Sequence, residues 1–169
     1  MSTLKGKDLL QKEFNEFLED PDLDDYFGID YWDEDNEDIL SWRVVMYGPP
    51  ETIYEGGYFL IKIDFNENYP TSKPNVNFKT KIYHTNVNQS NGHVCISTLN
   101  NWENTPKKPS MKIVLEDIYS LLSYQNPFDG YKNFKVECIT NYEEFKRKAR
   151  QWVIQYANVN DYDRKEKNY

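Results

Sequence analysis

Residues 82–102 read IYHTNVNQSNGHVCISTLNNW, and they divide the chain into two halves of different character. The stretch is rich in Asn, Ser and Gly, which favour turns and local side-chain hydrogen bonds over regular ladders. It nevertheless holds both histidines, His84 and His93, and one of the two cysteines, Cys95. That thiol sits in the apolar run Val94-Cys95-Ile96, where an irregular loop re-enters packed structure. A loop of this kind, carried on a rigid scaffold, is a common place for function.

Upstream, short apolar runs alternate with turn signals. Strands are expected over residues 25–31, 39–47, 58–65 and 75–78, with a charged turn at 33–38 joining the first two. Gly48-Pro49-Pro50 ends the second run, Tyr54-Glu55-Gly56-Gly57 turns into the third, and Tyr69-Pro70 and Lys73-Pro74 bracket the loop before the fourth. Adjacent strands joined by such turns imply an antiparallel meander. Ahead of them, Leu9, Leu10, Phe14, Phe17 and Leu18 recur at helical spacing, predicting a helix over residues 4–18 that Gly6 weakens and Pro21 stops.

Downstream the period changes to that of helices. Ile113, Val114, Ile118, Leu121 and Leu122 cover a broad face of a helix over Met111–Ser123, with Ser110 placed to cap it. A short helix follows over residues 133–139, and a longer one over 143–156, where Phe145, Ala149, Trp152, Val153 and Tyr156 share a face. The expected class is α+β: an N-terminal helix, a four-stranded antiparallel meander, the thiol loop and C-terminal helices. The expected division is one folded domain over residues 1–157 and a polar tail over 158–169.

Composition narrows the function. The 169 residues suffice for one core without metal or disulfide staples, and two distant cysteines suit a reducing compartment, so a cytoplasmic or nuclear location is expected. No apolar run reaches the roughly 20 residues of a membrane span, and the first residues lack the apolar core of a secretory signal. The net charge of −8 is local in origin: 13 Asp and Glu and no base lie between Lys12 and Arg43, leaving 15 acids against 20 bases elsewhere. Those bases (Lys79, Lys81, Lys107, Lys108, Lys112) are scattered, so neither nucleic acid nor membrane is an expected partner. Two cysteines exclude a cysteine-rich zinc site, and no cofactor is expected.

An ordered set of short motifs now becomes informative. Tyr54-Glu55-Gly56-Gly57, Tyr69-Pro70, Lys73-Pro74, Ile82-Tyr83-His84-Thr85-Asn86, Asn91-Gly92, Val94-Cys95-Ile96, Leu99, Trp102, Ser120-Leu121-Leu122, Asn126-Pro127 and Ala149-Arg150-Gln151-Trp152 follow one another in that order. In order and spacing they resemble the core domain of the ubiquitin-conjugating enzymes, over roughly residues 4–157. The resemblance implies the same architecture that periodicity gives. It also implies a transferase that accepts ubiquitin, or a ubiquitin-like modifier, from an activating enzyme and passes it to a substrate lysine or to a ubiquitin ligase. ATP would be used by the activating enzyme and not bound by this chain.

By resemblance Cys95 is the thioester cysteine, a role that suits a thiol because its thiolate is nucleophilic near neutral pH. Asn86 matches the asparagine of the family's His-Pro-Asn triplet, implying an oxyanion donor, with bracing of the loop as the competing role. His84 matches the triplet's histidine and is expected to be structural. Asp129, after Asn126-Pro127, would orient the incoming lysine. Ser97, two residues beyond the cysteine, would be a gate, where a phosphate would add charge. Cys138, in an apolar-patterned segment, reads as a core residue.

The chain departs from the family pattern in several places. Thr85 stands in for the triplet's proline, which removes a fixed φ. The spacing from Asn86 to Cys95 is one residue longer than usual. Thr71 replaces a large apolar residue, and Thr105-Pro106-Lys107-Lys108-Pro109 replaces a shorter Ser-Pro-Ala, which bears on ligase choice. Two other functions compete with the transferase. One is a catalytically impaired variant acting as a ubiquitin or ligase binding module. The other is a cysteine hydrolase using His93, two residues before Cys95.

Overall fold

The computed structural model describes residues 3–29 and 39–158. The charged turn at 33–38, the distal end of the first expected strand and the tail beyond Asn158 lie outside the described residues. Helix α1 (Thr3–Leu18) leads into strands β1 (Phe27–Ile29), β2 (Ser41–Tyr47), β3 (Tyr58–Asp64) and β4 (Asn75–Phe78). These pair antiparallel in the order β1-β2-β3-β4, which is the expected meander. The one-turn helix α2 (Ser97–Asn100) and helices α3 (Met111–Ser123), α4 (Lys132–Thr140) and α5 (Tyr142–Tyr156) complete the order.

The sheet has one dry face because its strands alternate. In β3, Phe59, Ile61 and Ile63 point inward, and Tyr58, Leu60 and Lys62 stand on the other, half-covered face. The register pairs Val44 with Ile61 and Trp42 with Ile63, so β2 adds its inward residues to the same layer. α1 covers one part of this face: Leu10 and Phe17 are buried, and the Phe14 ring packs 5.0 Å from that of Trp42. Gly6 is needed rather than merely tolerated, since a Cβ there would lie 2.8 Å from the Tyr69 carbonyl. α3 buries Met111, Val114, Leu115, Ile118 and Leu122, but Ile113, part of the broad apolar face expected of it, is exposed, so the helix packs by one face.

Several element bounds and one cap differ from expectation. Residues 39 and 40 belong to the turn before β2, and β3 ends at Asp64, because Phe65 N–H turns to donate to Leu40 O at 2.7 Å. Ser110 occupies the N-cap position of α3, but its side chain makes no capping bond. Glu13 of α1 does that work instead, accepting from Met111 N–H at 2.9 Å and from Tyr69 Oη at 3.0 Å. β1 starts at Phe27 rather than at residue 25, α1 and α5 each start one residue earlier than expected, and α4 starts one residue earlier and ends one later.

Between β4 and α2 the chain forms a tightly bonded hairpin rather than an open loop. Asn88 N–H donates to His93 O at 2.9 Å, Gly92 N–H to Asn88 O at 2.8 Å, and Cys95 N–H to Asn86 O at 2.8 Å. Gly92 closes the tip at φ +75°, where a Cβ would lie 1.9 Å from Phe78 O. Phe78 N–H in turn donates to Gly92 O at 2.9 Å, so the hairpin covers the outer edge of β4 and leaves less of it unpaired. With Asn86 and Cys95 paired, the longer connection between them is accommodated at the tip formed by residues 88–92.

Candidate active site

The site is assembled where that hairpin meets the connection between α3 and α4. Residues 82–87 are all buried, although several are polar, and each polar group has a bonded reason to be there. Tyr83 is the anchor: its ring packs against Phe134, Phe145 and Trp152 at 4.6, 5.2 and 5.4 Å. Its hydroxyl donates to Glu137, and its carbonyl accepts from Tyr54 Oη at 2.8 Å.

His84 is 1% exposed, with both ring nitrogens engaged. Asn86 N–H donates to Nδ1 at 2.9 Å, so the proton resides on Nε2, which donates to Leu121 O at 2.9 Å. Burial pushes this imidazole down to about 4. A neutral ring locked between hairpin and α3 is a brace, with no lone pair left for proton transfer at the thiol.

Asn86 ties the hairpin to the α3–α4 connection. Its Nδ2 donates to Asn126 O at 3.0 Å and to Cys95 O at 3.4 Å. Its Oδ1 accepts from Asn126 N–H at 3.3 Å and from Thr85 Oγ1 at 2.8 Å. The amide therefore pairs with the Asn126 backbone as a neighbouring strand would, and that backbone donor and acceptor fix which way round it lies. Thr85 is fully buried, and its carbonyl accepts from Tyr131 N–H at 2.7 Å. Gly130 packs so closely on it that a Cβ would lie 2.7 Å from Thr85 O. What a proline would supply as a fixed φ, Thr85 supplies as a hydrogen bond.

Cys95 is partly exposed, and among the described residues its sulfur takes part in two hydrogen bonds. The thiol donates to Asp129 O at 3.1 Å, and Asn100 Nδ2 donates to Sγ at 3.3 Å. Asp129 lies exposed on the 3-10 turn Pro127–Asp129, with its carboxylate held by Asn126 Nδ2 at 2.8 Å. The same side chain of Asn126 caps that turn by accepting from Phe128 N–H at 3.2 Å. Ser97 is exposed at the first position of α2. The structure thus brings Cys95, Asn86 and Asp129 together, with His84 behind Asn86 and Ser97 at the rim.

His93 bonds elsewhere. Its Nδ1 lies 3.0 Å from Tyr131 Oη, and its backbone bridges to Asn77 of β4, so no His93–Cys95 dyad exists in this arrangement. Burial and the nearby Cys95 push the Tyr131 phenol above its usual value. Cys138 is buried in α4, where burial raises its thiol. Among the described residues, no group of three or more His, Cys, Asp and Glu is placed to hold a metal ion, and no helix is long and apolar enough to cross a membrane.

Sequence reading missed Asn100, Asn126 and the hydroxyl of Thr85. The Asn126-Pro127 turn signal marked the right place but not its bonds to Asn86 and Asp129. For Asn100 there was almost no signal, since the side chain reaches the sulfur only because residues 97–100 close one helical turn.

The comparisons bear on the family and the fold. The model of the ubiquitin-conjugating enzyme family matches residues 9–153. The ubiquitin-conjugating enzyme E2 1 of Schizosaccharomyces pombe is 36% identical over 141 residues, a match covering 83% of this chain and 64% of that protein, so the chain spans less than two thirds of its relative's length. The E2 domain of a Toxoplasma gondii ubiquitin conjugating enzyme has a TM-score of 0.77 and 27% identity, over 90% of this chain and 99% of its own. A solved chain from Plasmodium yoelii gives a TM-score of 0.78 and 27% identity, over 91% of this chain and 96% of its own.

Proposed function

The chain belongs to the ubiquitin-conjugating enzyme family, and on that premise we propose that Cys95 accepts ubiquitin, or a ubiquitin-like modifier, as a thioester and yields it to an amine or to a ligase thiol. The observation that carries this reading is the placement of a partly exposed thiol in a rim built by three interlocked segments. In loading, the Cys95 thiolate attacks the thioester carbonyl on an activating enzyme, a new C–S bond forms, and the activating enzyme's thiolate leaves. In transfer to lysine, the amine nitrogen attacks the same carbonyl, the bond to Cys95 sulfur breaks with its electron pair, and the ammonium proton passes to solvent or a nearby base.

The surrounding residues then have separate roles. Asp129 meets the thiol through its backbone carbonyl, and its exposed carboxylate, held by Asn126, is assigned to attract and orient a lysine ammonium as it approaches. Asn86 holds Cys95 and the Asp129 turn in one frame, which its four bonds favour over oxyanion donation, since donation would require Nδ2 to release Asn126 O or Cys95 O. His84 supports Asn86 from behind. Ser97, at the rim, is a position where phosphorylation would place negative charge near the thiol. A partly exposed Cys95 is hard to reconcile with a binding module that performs no chemistry, and His93 is committed to Tyr131 rather than to a hydrolase dyad.

The test is to mix the protein with an activating enzyme, ATP and a panel of modifiers. A conjugate lost on adding a thiol reductant is expected with at least one of them. No conjugate with any modifier would sink the transferase reading.

A further inference from the structure

We propose that Asn100 is a catalytic residue that stabilises the Cys95 thiolate, both as the attacking group in loading and as the leaving group in transfer; this role rests on the transferase reading above. Its amide nitrogen is the donor that the described residues direct at the reacting sulfur, at 3.3 Å. Asn86 cannot do this in the same arrangement, because both hydrogens of its Nδ2 go to backbone carbonyls. The other neighbour of the sulfur, Asp129 O, is an acceptor. It favours the protonated thiol and turns repulsive once the proton has gone, whereas the Asn100 bond strengthens when its acceptor becomes an anion.

Asn100 is exposed, but the turn that carries it is anchored. Residues 97–100 form one closed turn, with Asn100 N–H donating to Ile96 O and Asn101 N–H to Ser97 O, both at 2.9 Å. Leu99 roots that turn in the core at 3% exposure, and the Thr98 hydroxyl donates to Asp117 of α3. The backbone that carries the amide is thereby fixed before any modifier arrives, which favours a hydrogen bond from it to a developing charge on the sulfur. In loading, the stabilised thiolate attacks the carbonyl and its electron pair enters the new C–S bond. In aminolysis that bond breaks, the pair returns to sulfur, and Asn100 again donates to it.

The experiment measures alkylation of the full chain by iodoacetamide across pH, with Cys95 and Cys138 followed separately by peptide mass spectrometry. Loading and discharge are measured on the same proteins. Asn100→Ala is expected to alkylate at Cys95 about threefold to tenfold more slowly at neutral pH, with a rate profile displaced to higher pH. Asn100→Asp, which sets a carboxylate against the sulfur, is expected to be slower still, and Asn100→Gln to recover part of the rate. Cys138, buried in α4, is expected to react at its original rate in all of them. An unchanged Cys95 rate and profile in Asn100→Ala overturns the proposal, as does a parallel change at Cys138, which reports loosening of the fold. If the unsubstituted protein accepts no modifier, the transferase reading fails on its own, and the alkylation data still decide what Asn100 does to the thiol.

Discussion

Replacing Asn86 by alanine tests whether the site is held together as described. The substitution removes two donated bonds, to Asn126 O at 3.0 Å and Cys95 O at 3.4 Å, and two accepted ones, from Thr85 Oγ1 at 2.8 Å and Asn126 N–H at 3.3 Å. The two shorter bonds contribute about 1 kcal/mol each, and the two longer ones less. Thr85, which is 0% exposed, is then left with a hydroxyl that has lost its acceptor, a further cost of about 1 kcal/mol. The expected loss is therefore about 3 kcal/mol, a large share of a domain's usual margin. Thr85→Val alone keeps the volume and should cost about 1 kcal/mol. In Asn86→Ala/Thr85→Val the buried hydroxyl is gone, so the double variant should be no less stable than Asn86→Ala. Urea unfolding followed by tryptophan fluorescence measures all three, and the coupling of about 1 kcal/mol is read from the cycle. Additive costs would refute the Thr85–Asn86 lock. Loading and discharge should slow together in Asn86→Ala; slowed discharge with unchanged stability and loading would refute bracing and point to oxyanion donation.

Three further outcomes follow from the same frame. Gly92→Ala forces a Cβ to within 1.9 Å of Phe78 O at φ +75°, so thermal unfolding should show a loss of at least about 2 kcal/mol and a less ordered hairpin. His84 has a folded-state value of about 4, below its unfolded 6.5, so the unfolded chain binds the extra proton between them; stability is full above that window and falls by about 3 kcal/mol as pH drops from 6.5 to 4. His93 is shifted in the same direction, so the His84 share is the difference between the unsubstituted protein and His84→Gln in denaturant titrations at several pH values. Glu13→Ala leaves Met111 N–H and the Tyr69 hydroxyl without their acceptor and should lower stability by about 2 kcal/mol, measured by the same unfolding assay.

Much of this architecture is legible in the sequence because periodicity reports burial. The Met111–Ser123 helix and the Asn75–Phe78 strand are found with those bounds, since in each the apolar spacing and the flanking turn residues agree. Boundaries slip where a long-range bond decides them, as when Phe65 N–H turns to Leu40 O and ends β3. Residues 84–86 read as part of a polar, turn-forming loop by composition, and they are the most deeply buried polar residues described, because His84, Thr85 and Asn86 satisfy one another and the facing backbone. The substitution of Thr85 for proline looked like a loss of rigidity; only coordinates reveal the hydroxyl–amide bond that replaces it. The N-cap of α3 illustrates the same limit, since Ser110 is the local choice and the donor is satisfied from Glu13, far away in sequence.

The central claim is that Cys95 carries the modifier, and the most direct measurement is the chemistry of the bond made by Cys95→Ser. With an activating enzyme, ATP and the modifier that loads the unsubstituted chain, this variant should form an oxygen ester that survives thiol reductant and is cleaved by mild alkali. Peptide mass spectrometry should place the ester on residue 95. A Cys95→Ser protein that still forms a reductant-sensitive conjugate, at Cys138 or elsewhere, would contradict the account.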